Sequence, residues 1–195
     1  MMLTVILTGG ASRRMGRDKA TRPWDGGTLL QSLVDRYAAL GPVAVSVNEP
    51  GRFAFTGARE LVDRFPNLGP LNGIISGFVE TEAEALFLTA TDLPFGDPAL
   101  ALRLAELRTE AGADACVLRR GVKGIEPTFA VYGRNCLEPA REALEQGRRA
   151  FFDLFERVSV RRVAPEELPE FHNLERILTN VNTQEEYERC LNRPQ

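Results

Sequence analysis

Short apolar runs alternate along this chain with stretches whose apolar positions recur every three or four residues. Leu3 to Thr8 is a continuous apolar, β-branched run, the pattern of a strand buried on both faces. Thr28 precedes LLQSLVDRYAAL, where Leu29, Leu30, Leu33, Val34 and Tyr37 fall at helical spacing. Thr28 with Gln31 fits a capping box, and Gly41-Pro42 ends the helix. Val43 to Val47 reads as a second strand and Glu60 to Val62 as a shorter third. A helix is expected over Ile74 to Glu82 and a strand over Ala85 to Ala90. Asp97 then serves as N-cap with Pro98 in the first helical position. Asp114 to Leu118 and Pro127 to Tyr132 read as strands, Arg134 to Gln146 and Ala150 to Phe155 as helices. Ser159 to Ala164 is a strand, and a helix over Glu185 to Leu191 closes the pattern.

Strands and helices alternating at this spacing predict a three-layer α/β/α sandwich around a mainly parallel sheet, built as a single domain over residues 1–195. In such sheets a ligand sits beyond the carboxyl ends of the strands. That rule selects three loops: those after Thr8, after Val47 and after Ala90.

Composition narrows the chemistry. The 195 residues carry a net charge of −3, so no global basic field points to nucleic acid and any anion site is local. No apolar run approaches the length of a bilayer span or fits a signal peptide, so no membrane role is expected. Cys116, Cys136 and Cys190 are far apart and odd in number, and His172 is the lone histidine. Neither a zinc site nor a disulfide framework is indicated, which favours a reducing cytoplasm.

The densest chemistry lies in LTGGASRRMGRDK, Leu7 to Lys19. Leu7 and Thr8 end the first strand, and Gly9 and Gly10 let a backbone approach a phosphate chain closely. Arg14, a planar fork, and Lys19, a point charge, suit phosphate oxygens. The spacing matches neither a Walker A loop nor GxGxxG. Taken alone, the segment is equally a solvated strand-to-helix turn.

The same segment resembles the signature loop of the nucleotidyltransferases that build sugar nucleotides and dinucleotide cofactors. Gly9-Gly10 and the Asp18-Lys19 pair look most like the molybdenum cofactor guanylyltransferases, with Thr8 where alanine is usual. Four further blocks resemble that family in order: Asp63 with GPLNGI (Gly69 to Ile74), TATDLP (Thr89 to Pro94), GIEPTFAVY (Gly124 to Tyr132) and TNVNTQEE (Thr179 to Glu186). The resemblance implies a Rossmann-like nucleotide-diphospho-sugar transferase fold. It also implies GTP and molybdopterin as substrates, magnesium as cofactor, and transient contact with other proteins of molybdenum cofactor biosynthesis.

Asp92, at the end of an apolar strand and before Leu93-Pro94, reads either as a turn cap or as a carboxylate for magnesium. The phosphate loop expected at the same sheet edge favours the metal, and the resemblance makes it the family's magnesium- and nucleotide-contacting aspartate. Asp63 reads either as a cap of the turn before Arg64-Phe65-Pro66 or as an acceptor for the donor edge of guanine or a ribose hydroxyl, and the resemblance favours the second. Asn48 reads equally as a contact for a base edge and as a turn residue before Pro50. Related sequences often carry Asn-x-Asn where this chain has Ser46 and Asn48, which makes Ser46 a second candidate for the base contact. Asn180 and Asn182 share one face of an extended segment and suit the second substrate. Thr183 with Glu186 fits a capping box for the last helix. Glu126 reads as a residue opening a strand, Arg148 and Arg149 as cations at a helix end, and Phe151, Phe152 and Phe155 as core.

The expected reaction is transfer of GMP from GTP to the terminal phosphate of molybdopterin, with Arg14, Lys19 and Asp92 as catalytic residues and magnesium on Asp92. The alternatives are a related cytidylyltransferase, a sugar- or lactyl-phosphate nucleotidyltransferase, and a non-catalytic GTP-binding accessory protein.

Overall fold

The computed structural model describes residues 1–8, 18–63, 70–121 and 124–191. In chain order it contains β1 (Met2–Leu7), a two-residue hairpin of β2 (Pro23–Trp24) and β3 (Gly27–Thr28), α1 (Leu29–Tyr37), β4 (Val43–Val47), β5 (Arg59–Val62), α2 (Leu71–Val79) and β6 (Ala85–Ala90). There follow α3 (Pro98–Glu110), β7 (Ala115–Arg120), β8 (Gly124–Gly133), α4 (Leu137–Glu145), α5 (Phe151–Phe155), β9 (Val160–Val163), α6 (Leu174–Ile177) and α7 (Gln184–Leu191).

Seven strands form one sheet in the order β5-β4-β1-β6-β8-β7-β9. The β5–β4, β4–β1, β1–β6 and β7–β9 pairings are parallel, and β8 runs antiparallel to both of its neighbours. The mainly parallel sheet read from the sequence is therefore the one observed. Successive residues of β1 divide between two cores: Ile6 joins one with α1 and α3, while Val5 and Leu7 join the other with α2 and α4. An apolar strand with no polar alternation is what burial on both faces requires.

Most elements lie where the sequence puts them. The Thr28 hydroxyl caps α1 by accepting from the Gln31 N–H at 3.2 Å, but the box is only half formed, because the Gln31 side chain turns to Asp35 at 2.8 Å. Asp97 accepts from the Ala99 N–H at 2.8 Å to open α3. The α2 helix begins at Leu71, earlier than expected. Its Gly73 and Gly77 lie against the side chains of Leu7 and Leu86, so in this helix glycine permits close packing on the sheet rather than marking a loop. The β2–β3 hairpin and α6 have no counterpart in the sequence reading. Phe152 corrects an expectation: Phe151 and Phe155 are buried, whereas Phe152 is 60% exposed.

Among the described residues no helix is long and apolar enough to cross a membrane.

Candidate active site

Pairing of Leu7 with both Ser46 and Ala90 brings the carboxyl ends of β4, β1 and β6 side by side. Thr8, where the related sequences usually carry alanine, donates its hydroxyl to the Ser46 carbonyl at 2.6 Å. The Thr91 N–H donates to the Leu7 carbonyl at 3.1 Å. Leu7 and Thr8 thus stand at the centre of the sheet's mouth. Gly9, Gly10 and Arg14 belong to the segment 9–17, outside the described residues.

Lys19 opens a short helical turn, Lys19–Thr21, capped by Asp18, which accepts from the Ala20 N–H at 3.1 Å and pairs with Arg52 at 2.7 Å. The Lys19 side chain is buried, and its ammonium donates to the backbone carbonyl of Val181. Burial pushes its pKa below the ordinary lysine value, with Arg22 acting the same way, while the charges of Asp92 and Glu186 oppose the shift. The ammonium is thus a fixed cation in the field of Asp92.

Asp92 is half-buried, and its Oδ1 is fully enclosed with no hydrogen-bond partner among the described residues. The Leu93 N–H goes instead to the Ala90 carbonyl at 3.0 Å. Burial raises the Asp92 pKa, and Glu126 adds to the rise; Lys19 and Arg120 oppose it. An enclosed, unsatisfied carboxylate oxygen is costly unless something binds it. Among the described residues no cluster of three or more His, Cys, Asp or Glu could hold a metal ion. One carboxylate is nevertheless enough for magnesium, which keeps several waters and takes its remaining oxygens from substrate phosphates. The donor set fits that ion.

On the β4–β5 side, Ser46 is buried and its hydroxyl donates to Oδ1 of Asp63 at 2.7 Å. Burial raises the Asp63 pKa and the serine bond restrains the rise. Ser46 therefore orients Asp63 rather than presenting a free hydroxyl. Asn48 is exposed at the rim, beyond the end of β4.

Sequence reasoning did not foresee how the C-terminal segment clasps this edge. The Val181 N–H donates to the Asp92 carbonyl at 2.8 Å, while its own carbonyl takes the Lys19 ammonium. One residue therefore ties the Lys19 ammonium to the backbone of Asp92. Asn180 and Asn182 flank it, the first half-buried and the second exposed. The Thr183–Glu186 box is complete: Glu186 N–H donates to the Thr183 hydroxyl at 3.2 Å, and Glu186 Oε2 accepts from Thr183 N–H at 2.9 Å. Tyr187 of α7 packs on Trp24, with ring centroids 5.8 Å apart, and donates to the Pro23 carbonyl.

One reading changes here. Glu126 lies inside β8 rather than at its start, is buried, and pairs with Arg120 at 2.8 Å. Arg148 lies just past the end of α4, as read from the sequence, and pairs with Glu156 at 3.1 Å. His172 is exposed.

With this geometry in view, residues 4–162 match the model of the MobA-like NTP transferase domain. The chain is 34% identical to a protein of Carboxydothermus hydrogenoformans named "Probable molybdenum cofactor guanylyltransferase", over 97% of this chain and 95% of that one. It is 31% identical to the molybdenum cofactor guanylyltransferase of Desulfosudis oleivorans, over 95% and 92% of the two chains. Among solved structures, molybdopterin-guanine dinucleotide biosynthesis protein A of Archaeoglobus fulgidus superposes with a TM-score of 0.84 at 22% identity, over 96% of each chain. A 4-diphosphocytidyl-2C-methyl-D-erythritol synthase of Anaerococcus prevotii gives 0.71 at 13% identity, over 98% of each, a likeness of fold alone.

Proposed function

The chain belongs to the MobA-like NTP transferase family, and from that premise we propose that it transfers GMP from GTP to the terminal phosphate of molybdopterin, releasing pyrophosphate. The observation that carries the reading is the convergence of Lys19 and Asp92 on Val181, at the edge where β1 and β6 end. Near-full-length relatives that carry the guanylyltransferase name support the choice of GTP.

In this reading a terminal phosphate oxygen of the acceptor attacks the α-phosphorus in line. The bond from that phosphorus to the oxygen bridging to the β-phosphate breaks, and pyrophosphate leaves with the electron pair. The nucleophile is already an anion, so the step asks for no general base. What the protein supplies is position and compensating charge. Lys19, held by Val181, faces the charge that builds on the leaving group; Arg14 and the amides of Gly9 and Gly10 are assigned to the same phosphates. Asp92 Oδ1, enclosed and unpartnered among the described residues, is assigned to magnesium. When bound, that ion neutralises phosphate charge and polarises the α-phosphoryl group.

Asp63, oriented by Ser46, is assigned to the N1–H and N2–H₂ donors of guanine, with Asn48 at the rim of the same side. Asn180 and Asn182 are assigned to the acceptor. Buried thiols at Cys116 and Cys136 fit a reducing cytoplasm.

The test is to incubate the protein with GTP, magnesium and molybdate-loaded molybdopterin and to assay pyrophosphate and the guanine dinucleotide. CTP, ATP and UTP run in parallel. Formation of both products with GTP supports the proposal. Preference for CTP would make the enzyme a cytidylyltransferase, and GTP binding without pyrophosphate release would make it an accessory protein.

A further inference from the structure

Glu126 and Arg120 form a charge pair that the reaction above leaves unused. A bulge creates it. Val117 of β7 pairs with Ala130 of β8, but the next residue, Leu118, pairs with Glu126, so Pro127, Thr128 and Phe129 are looped out of the ladder. The β6–β8 ladder ends at Leu88 and Ala130. Bulges of this kind re-aim side chains at functional edges. Here the bulge carries the buried Glu126 carboxylate toward the end of β6, where Asp92 senses both it and Arg120.

Both carboxylate oxygens of Glu126 are committed. Its Oε1 accepts from the Thr128 N–H at 3.2 Å and from the Thr128 hydroxyl at 2.5 Å, and its Oε2 accepts from Arg120 Nη1 at 2.8 Å. The other arm of the guanidinium, Nη2, donates to the Leu178 carbonyl at 2.9 Å. Leu178 caps α6 and leads directly into the Asn180–Asn182 segment. The Arg120 side chain remains 42% exposed while that of its partner is 8% exposed, so the pair is anchored on the Glu126 side and open on the Arg120 side.

Its place in the sheet gives this pair a meaning. Ser46, Asn48 and Asp63, the base side, belong to β4, β5 and their loops, on one flank of β1. Arg120 and Glu126 belong to β7 and β8, beyond β6 on the opposite flank. An in-line attack at a phosphorus held between the two flanks brings the acceptor from the β8–β7 side. We propose that Arg120, anchored by Glu126, is the positioning residue for the acceptor substrate: it fixes the Leu178–Asn182 segment against the sheet and so sets the seat of the acceptor, not of GTP. This rests on the nucleotidyl transfer proposed above.

The planar fork is what lets one side chain bridge a carboxylate and a carbonyl. Lysine has a single nitrogen and a different reach. The test uses the full-length protein with Arg120→Met, Arg120→Lys and Glu126→Gln. Two measurements are made on each: amide hydrogen exchange of the 178–183 segment, and steady-state KM for molybdopterin and for GTP. Expected for Arg120→Met is exchange in that segment faster by about tenfold or more, with β1 and α1 unchanged. The molybdopterin KM should rise at least about tenfold, with the GTP KM within about twofold of wild type. Glu126→Gln, which retains an acceptor, should fall between wild type and Arg120→Met, and Arg120→Lys should recover less than half of the loss.

Unchanged exchange in Arg120→Met overturns the positioning role. Faster exchange with an unchanged molybdopterin KM overturns the acceptor role and leaves a purely structural tie. Should the wild-type protein form no dinucleotide at all, the proposed reaction fails, and the exchange measurement still decides whether Arg120 seats the segment.

Discussion

Lys19 and Val181 stand 162 residues apart in the chain and are joined by one hydrogen bond, from the lysine ammonium to the backbone carbonyl. That bond makes the turn after the glycine–arginine segment and the approach to α7 a single unit. It also fixes where a buried cation points.

Removal of that cation is the first test. Lys19→Ala is expected to lower the rate of pyrophosphate release on the order of a hundredfold or more, the usual loss for one preorganised electrostatic group. It also leaves the Val181 carbonyl without its donor, so stability should fall by about 1–3 kcal/mol. A pyrophosphate assay and a urea titration on the same variant separate the two effects. Full activity in Lys19→Ala would remove lysine from the site.

Asp92 yields a prediction of opposite sign for stability and for turnover. Its pKa is raised above the ordinary value of 3.8, first by burial. As pH rises from the unfolded value through the higher folded one, the native state holds more protons than the unfolded chain, so stability falls across that window. At neutral pH the charged form therefore strains the free protein. Asp92→Asn should unfold at a higher urea concentration than wild type at pH 7, lose that advantage near pH 3, and show no measurable turnover. A lower urea midpoint at pH 7 would contradict the assignment of burial as the dominant influence.

Ser46 acts through Asp63. Ser46→Ala removes a donor at 2.7 Å and leaves the carboxylate free to rotate; the KM for GTP should rise roughly 3- to 10-fold, the worth of one ordinary hydrogen bond. Asp63→Asn removes a charge-assisted contact and should raise it more, by about 10- to 100-fold. The KM for the acceptor should stay unchanged in both, which initial-rate measurements with each substrate varied in turn will show.

Gly96 offers a test of packing beneath the site. A Cβ placed there meets the Tyr37 hydroxyl and lies 2.8 Å from the Phe129 ring, both belonging to rigid, buried side chains. Gly96→Ala is expected to cost about 1–3 kcal/mol of stability by overpacking. A thermal melt within a degree of wild type would show that the loop after Pro94 yields freely.

The layered fold was legible because its determinants are local. Unbroken apolar strands, helical spacing from Leu29 to Tyr37, and the Asp97-Pro98 and Thr183–Glu186 caps each depend on residues a few positions apart. The misreadings have the same origin. Gly73 looks like part of the loop before α2 until Leu7 is seen beneath it. Phe152 has the spacing of a core residue, yet a helix as short as α5 buries Phe151 and Phe155 against Tyr132 and turns Phe152 outward.

By itself the sequence determined the alternation of strands and helices and the mainly parallel sheet, since hydrophobic period and capping act over one or two turns of chain. Tertiary structure alone decided that Val181 would join Lys19 to Asp92, that Ser46 would aim Asp63, and that a bulge in β8 would set Glu126 under Arg120. Those contacts join residues far apart in the chain, and they form only when strand order and register bring the partners within hydrogen-bond reach.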